Sequence, residues 1–497
     1  MESSRGFGLL RSYPRVFWIA NVMELFERGA YYGLNSVLAI YLTNNIVEGG
    51  LGFTEQSVGF LQGLIYAATY ILPILGGALA DRYGYRRMLL VAFSFLATGY
   101  FLAGQMSAYG AVFASLLIMA TGSGLFKPII SGTIARTTNE SNSGFGFGIY
   151  YWMINLGAFL APLVVSYLKG FSWTWIFMAS SLYCALMLLP TIFLFKDPPR
   201  PANTKTIREV LTGAAEVLGD ARFMLMIFVY SGFWILYFQN FGSVLWFLRD
   251  FVAPGPVNDF FAGLGIPLNF DAEHVTVINA GTIIILQVLV SRLIKNVPPL
   301  RAMVIGIGIG VTGFVFLSFA TNAWIFILGI AVFSIGEMTA HPKYYSYVGL
   351  VAPPDRKAVY MGYAFLYGVV GSLIGSNLGG VMYEAMLKPL VGSPDPSADF
   401  QVFWLIFAGL GLVAMSGLML YNRYFSVDSP ATRARARQIM IGLYSLLLVL
   451  GALFLYRSLF GSAGVAYRTA VQATIMLLLG AGGIAISFRK AGSQGSA

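Results

Sequence analysis

Charge is scarce in this chain of 497 residues: only 10% of its side chains are Asp, Glu, Lys or Arg, whereas 57% are hydrophobic and 15% aromatic. A soluble domain of this length does not carry so apolar a composition, so the chain is predicted to fold within a lipid bilayer. Cysteine is almost missing as well. Cys184 stands alone in an apolar run, can build neither a disulfide framework nor a cysteine metal cluster, and is read as a small core side chain. Two histidines, His274 and His341, are too few for a multi-histidine metal site. Neither a Gly-x-x-x-x-Gly-Lys phosphate loop nor a Gly-x-Ser-x-Gly nucleophile elbow occurs. Metalloenzymes, ATPases and serine hydrolases are thus unsupported, and no enzymatic activity, metal or cofactor is expected.

What is present is a succession of apolar runs. A helix needs about 20 residues to cross the hydrocarbon core, and such runs lie near 15–42, 55–79, 87–104, 107–135, 143–168 and 172–195. They resume near 223–249, 274–294, 300–320, 323–351, 358–386 and 402–422, and two more follow near 438–456 and 469–487. The predicted fold is an all-α membrane protein of 14 spans: two six-helix bundles and two extra C-terminal transmembrane helices. Its parts are residues 1–196, a linker at 197–222, residues 223–424, and a trailing pair with tail at 425–497. From Thr204 to Asp220 apolar and charged residues alternate at helical spacing, which predicts a short amphipathic helix at the interface. The segment from Asp250 to Glu273, with Pro254, Pro256, Pro267 and four acids, is expected to be a solvated loop, with the shaping of an entrance as the alternative. The first run carries Glu24, Glu27 and Arg28 and lacks a small-residue cleavage site, so it is read as a retained helix and not a signal peptide.

The net charge of +10 is explained by where the bases sit. With both termini placed in the cytoplasm, 23 of the 31 lysines and arginines fall at cytoplasmic helix ends, from Arg5 through Arg200, Lys205 and Arg435 to Lys490. The other side receives Lys169, Arg249, Lys388, Arg457 and Arg468. This is the positive-inside pattern of a plasma-membrane protein, and the surplus calls for no nucleic acid partner.

An ionisable side chain near the bilayer centre costs about 2.5–3.5 kcal/mol on insertion scales, so those within spans are functional candidates. Glu24, Glu27 and Arg28 lie at i, i+3 and i+4 and project from one face, which Tyr31 and Tyr32 continue one turn later. A structural ion cluster is the alternative. Lys127 is followed by Pro128 within Gly-Ser-Gly-Leu-Phe-Lys-Pro, where proline interrupts the backbone ladder and bends the helix. In Gly336-Glu337-Met-Thr-Ala-His341-Pro342-Lys343, His341 stands four residues after Glu337. This is either a proton relay or a histidine bonding a backbone group freed by Pro342, while Lys343 snorkels toward the cytoplasm.

Two motifs carry a resemblance. Gly77-Ala-Leu-Ala-Asp81-Arg82-Tyr-Gly84-Tyr-Arg86-Arg87 matches the Gly-x-x-x-Asp-Arg-x-Gly-x-Arg-Arg signature of the major facilitator superfamily. Glu24-Leu-Phe-Glu27-Arg28-Gly-Ala-Tyr31-Tyr32-Gly33 closely resembles the first-helix motif of its proton-dependent oligopeptide transporter family. That resemblance continues through Tyr70, Lys127-Pro128, Asn155, Phe233-Trp234, Asn279 and Glu337. It implies a major facilitator fold in which Arg28 and Lys127 hold a peptide carboxylate and Glu337 faces the amino terminus. Asn155 and Asn279 would bond the peptide backbone, with Tyr31, Tyr32, Tyr70 and Trp234 walling the pocket. Glu24 and Glu27 would couple protons, with Glu337 and His341 added as candidates from their own spacing, and Gly77, Asp81, Arg82, Gly84, Arg86 and Arg87 would form the conformational gate.

The chain departs from the family in reading Tyr237-Phe238-Gln239 where an acid usually precedes the glutamine, and in placing His341 before Pro342. Lys127, lacking that acid, is expected to pair with Glu24, Glu27 or Glu337. The function implied is import of di- and tripeptides with protons by alternating access, in a monomer of the bacterial inner membrane that meets lipid and small peptides. Another small anion or amino-acid-like solute is the alternative. A drug and proton antiporter is disfavoured because the fifth run lacks Gly-x-x-x-Gly-Pro-x-x-Gly-Gly, and a non-transporting receptor would not need charges along the cavity.

Overall fold

The computed structural model describes residues 10–139, 141–198, 207–393, 397–460 and 467–494. Apolar runs of this length satisfy every backbone group internally only as helices, and helices are what they form. The first six long ones are α1 (Arg15–Asn35), α2 (Glu55–Tyr83), α3 (Tyr85–Gln105), α4 (Tyr109–Arg136), α5 (Ser143–Lys169) and α6 (Trp173–Phe193). A linker helix, Ile207–Leu218, leads to α7 (Ala221–Tyr237), α8 (His274–Leu293), α9 (Pro299–Leu317), α10 (Ala323–Val351), α11 (Val359–Leu390) and α12 (Ser397–Tyr424). The trailing pair is α13 (Pro430–Phe460) and α14 (Tyr467–Gln494). Among the described residues 13 helices are long and apolar enough to cross a membrane. The remaining long helix, α1, is set apart by Arg15, Glu24, Glu27 and Arg28, and completes the expected fourteen.

Many side chains pointing away from the bundles are hydrophobic, as in Leu182, Ile285 and Val413, which suits contact with lipid. Helices packed in lipid gain little from hydrophobicity and instead approach through small residues. In the first bundle α1 packs on α5 and α6, and α4 on α2 and α3; in the second α9 packs on α10 and α12, and α7 on α11 and α12. The bundles meet along α2/α11 and α5/α8. Advancing α2 by six helices and setting α11 back by six turns the first pair into the second, so the halves are related by a pseudo-twofold arrangement. Along α2/α11 the contact is glycine on backbone: a Cβ at Gly63 would stand 2.9 Å from Asn377 Nδ2 and 3.1 Å from Ser372 O.

Two first helices of the halves, α1 and α7, are broken near the same end. After α1 the chain turns at Ser36 and Val37 before a short helix, Leu38–Thr43. After α7 it tightens to a 3-10 turn over Phe238–Phe241 and restarts as Ser243–Phe251 beyond Gly242. Carbonyls of these broken segments are used between the bundles. Gln62 Nε2 donates to Phe241 O at 2.8 Å and Trp246 Nε1 to Ala39 O at 3.2 Å.

Several expectations shift. The trailing pair begins at Pro430, earlier than its apolar run, because Arg433, Arg435 and Arg437 occupy the first turns of α13. The segment from Asp250 to Glu273 is no simple solvated loop. It holds a helix, Gly255–Gly263, and its buried Glu273 accepts from Lys169 at 2.9 Å, while Asp271 pairs with the same ammonium. The linker helix starts at Ile207, and Thr204 to Thr206 lie outside the described residues, as do Arg5, Arg200 and Lys205.

Candidate functional site

Helix α1 delivers three of its four ionic residues to the interior, where Glu24, Glu27 and Arg28 are all buried. Spacing decides how they meet. Arg28 grips Glu27 in a two-pronged pair, with Nε donating to Oε2 at 2.5 Å and Nη2 to Oε1 at 2.6 Å. Glu24 Oε1 lies 3.6 Å from Arg28 Nε, and its other oxygen has no hydrogen-bond partner among the described residues. From α4, Ser123 Oγ donates to Glu27 Oε1 at 3.1 Å. The guanidinium also lies 4.8 Å from the ring centre of Tyr31 and 5.9 Å from that of Tyr32.

Lys127, on the Pro128-bearing helix α4, does not pair with Glu24, Glu27 or Glu337 as its missing partner suggested. No ion pair to it forms among the described residues; its Nζ sits 5.2 Å from the ring centre of Tyr70 and 5.9 Å from that of Tyr31. The reason is geometric: Glu27 spends both oxygens on Arg28 and Ser123, and two aromatic faces offer the ammonium cation–π attraction.

The opposite wall comes from the second bundle. Glu337 Oε2 accepts from Asn279 Nδ2 at 3.0 Å, an amide that also reaches Ser334 Oγ at 2.9 Å. No cation pairs with Glu337 among the described residues. His341, one turn on, turns elsewhere: its Nδ1 is 3.5 Å from Tyr230 OH, and its ring is boxed by Trp234 and Tyr345, each 5.0 Å away, and Tyr367. It makes no hydrogen bond to Glu337 or to a backbone group beside Pro342. Aromatic rings bridge the walls, since Tyr70 lies 6.3 Å from Trp234 and 6.0 Å from Tyr367. Phe238 stacks on Tyr66 at 5.3 Å. Asn155 is buried and bonds Tyr151 O on its own helix at 2.9 Å. Lys343 lies away from this chamber, its Nζ donating to Val297 O at 2.8 Å and Lys295 O at 3.3 Å.

The glycine-rich motif lies at the α2–α3 turn, on what we call the motif face. Gly84 takes φ +98°, a conformation open to glycine, and lets α3 start at once. Asp81 pairs with Arg136 of α4 at 2.7 Å, and Tyr85 OH donates to the same carboxylate at 3.3 Å. The Arg86 backbone N–H donates to Asp197 at 2.6 Å and its side chain to the carbonyls of Thr191 and Ile192 at the end of α6. Arg82 and Arg87 line a cavity of about 670 Å³ beside Lys196, and Gly77 faces Pro128 of α4. The motif thus ties α2, α3, α4 and α6 together within the first bundle.

Residues that were not singled out seal the opposite, far face. Arg249 reaches across the seam to Thr43 Oγ1 at 2.9 Å, Asn44 Oδ1 at 3.0 Å and Glu55 at 3.4 Å while holding Asp250 at 2.6 Å. Lys388 adds 2.7 Å to Glu55, and Glu384 accepts from the Gln56 N–H at 2.8 Å. The signal was present: Lys169, Arg249 and Lys388 are among the five bases that fall on the wrong side of the charge bias, and each makes an inter-bundle ion pair.

Comparison with known proteins agrees with this geometry. An uncharacterised transporter of Bacillus subtilis, YclF, is 32% identical over 156 residues, which is 31% of this chain and 32% of that relative. The chain thus spans about a third of the length of that relative. Dipeptide and tripeptide permease A of Klebsiella pneumoniae is 24% identical over 493 residues, covering 85% of this chain and 95% of the permease. A crystal structure of a POT family transporter in complex with 5-aminolevulinic acid superposes with a TM-score of 0.66 at 20% identity, covering 83% of this chain and 96% of that one. Residues 22–376 match the family model described as Major Facilitator Superfamily, so two linked six-helix bundles around a charged seam have their explanation: the chain belongs to the Major Facilitator Superfamily.

Proposed function

We propose that the protein is a proton-coupled symporter that imports di- and tripeptides by alternating access, with both termini in the cytoplasm and the proton as its coupling ion. One observation carries this reading: among the described residues, Lys127 on one wall has no carboxylate partner and Glu337 on the other has no cation. A small zwitterion satisfies both at once. Its carboxylate goes to Lys127 and, once Glu27 is protonated, to Arg28; its amine goes to Glu337, with Asn279 orienting that carboxylate. Neutralising Glu27 removes the partner that engages Nε and Nη2 of the guanidinium, which links proton entry to substrate capture. The two bundles then rock about the site. The similarity to a di- and tripeptide permease over most of both chains supports the substrate class.

The test is uptake into proteoliposomes. A pH gradient is expected to drive accumulation of a labelled dipeptide, and Glu27→Gln and Lys127→Ala to abolish it; gradient-driven uptake at the normal rate by both variants refutes the coupling. A second reading, an amino-acid-like solute, is favoured by the complex of a similarly folded transporter with 5-aminolevulinic acid and by Phe238 in the chamber wall. Competition by dipeptides against labelled 5-aminolevulinic acid separates the two.

A further inference from the structure

The trailing helices have no place in the transport scheme, yet they build a cavity. Where α13 passes α12 over α7, at the motif face, lies a groove of about 480 Å³, within the roughly 300–1,000 Å³ typical of ligand sites. Its floor and sides are apolar, from Leu225 and Val229 of α7, Leu420 of α12 and Ile439 of α13. Leu420 and Ile439 are 56% and 43% exposed, so the groove opens sideways toward the bilayer. Polar groups gather at one end, Arg435 and Gln438 of α13 with Tyr424 of α12. Neighbouring bases are already matched, Arg433 to Asp428 at 2.6 Å and Arg222 to the same carboxylate at 3.7 Å. Arg435 makes no ion pair among the described residues, and Arg423, over the ring of Tyr424 at 5.3 Å, adds a second positive charge to the rim.

We propose that this groove binds an acidic phospholipid, with the phosphate at Arg435 and an acyl chain along Leu225, Val229, Leu420 and Ile439. An unmatched arginine above an apolar, laterally open slot complements a ligand that is anionic at one end and aliphatic at the other. A soluble anion would leave the apolar wall uncovered, and a neutral lipid would leave the net charge of Arg435 unmatched. The bound lipid fills the wedge between α13 and the second bundle and so fastens the trailing pair to it.

The test titrates the purified full chain in neutral detergent with phosphatidylglycerol or phosphatidylcholine and reads bound lipid by native mass spectrometry. Phosphatidylglycerol is expected to bind preferentially, Arg435→Gln to weaken it about fivefold, the effect of one base near a charged lipid surface, and Arg435→Lys to keep most of it. Ile439→Trp, which fills the groove from its exposed rim, is expected to lower occupancy by either lipid, and it decides the matter should Arg435→Gln not fold. Equal binding of the two lipids, undiminished binding by both Arg435→Gln and Ile439→Trp, or displacement by millimolar inorganic phosphate would overturn the assignment.

Discussion

At the scale of single residues the site is a matter of which charges are already spent. Glu24, Glu27 and Arg28 could be placed together from their spacing alone, because i, i+3 and i+4 fix one helix face. The partner of Lys127 could not, because its surroundings come from α1 and α2 and depend on side-chain directions that spacing does not supply. Since Lys127 rests on Tyr31 and Tyr70 and not on a carboxylate, exchanging charges in the double variant Lys127→Glu, Glu24→Lys is expected to leave uptake abolished. Recovery of uptake would return Glu24 to the role of its partner. Glu337 meets no cation among the described residues and is held by Asn279; under the proposed function it would serve the amine of the substrate. Hydrogen bonds to charged groups are worth about 1.5–3 kcal/mol, so Glu337→Gln is expected to weaken competition by a free dipeptide ten- to a hundredfold while barely changing competition by its N-acetylated form. Equal losses for the two competitors would remove Glu337 from amine recognition.

Elements were legible where hydropathy and motif agreed, and less so where tertiary contact decides. The break after α7 falls inside the run near 223–249, where Gln239, Asn240, Gly242 and Ser243 interrupt the apolar pattern; what sustains it is Gln62 on α2, which donates to the carbonyl of Phe241. The α2/α11 contact is invisible as periodicity, since glycine contributes no side chain to the pattern. Its consequence is sharp. Valine at Gly63 would press on Asn377 and the carbonyl of Ser372, so Gly63→Val is expected to part the far half of this seam and raise maleimide labelling of a cysteine placed at the buried Ser376 in a Cys184→Ser background. Unchanged labelling would show that the seam absorbs the extra volume. Between α12 and α13 the hydrogen bonds from Arg433 hold the carboxyl of Asp428 below its usual range. A depressed carboxyl stabilises the fold above its unfolded pKa and loses that contribution as pH falls through the folded value. Loss of Asp428, partly exposed, is expected to cost less than about 1 kcal/mol. The melting difference between the native chain and Asp428→Asn should be constant above about pH 5 and shrink below about pH 4.

At the scale of the whole molecule, the ion pairs seen between the bundles among the described residues lie at the far face. Arg249, Lys388 and Lys169 join the halves at the far face, whereas the pairs of the glycine-rich motif stay within the first bundle. Composition could set the orientation of the helices, but not this closure, because Lys169 and Glu273 are more than 100 residues apart in the chain and meet only once both bundles have formed. The structure is therefore a state closed at the far face, and alternating access requires that these contacts break. Glu55 is the common point: buried, it accepts from both Arg249 and Lys388 across the seam. Replacing it leaves two cations with less to hold them, and a loss of about 1.4 kcal/mol, modest for a buried ion pair, is a tenfold change in the equilibrium. With spin labels on the exposed Val47 of the first half and Val391 of the second, Glu55→Gln is expected to raise the population of long inter-label distances about tenfold relative to the native chain. Lys388→Met alone should do so less, because Arg249 still holds Glu55, and adding it to Glu55→Gln should change little further, since its partner is already gone. An additive response of the two substitutions would mean that Lys388 closes the far face through some group other than Glu55.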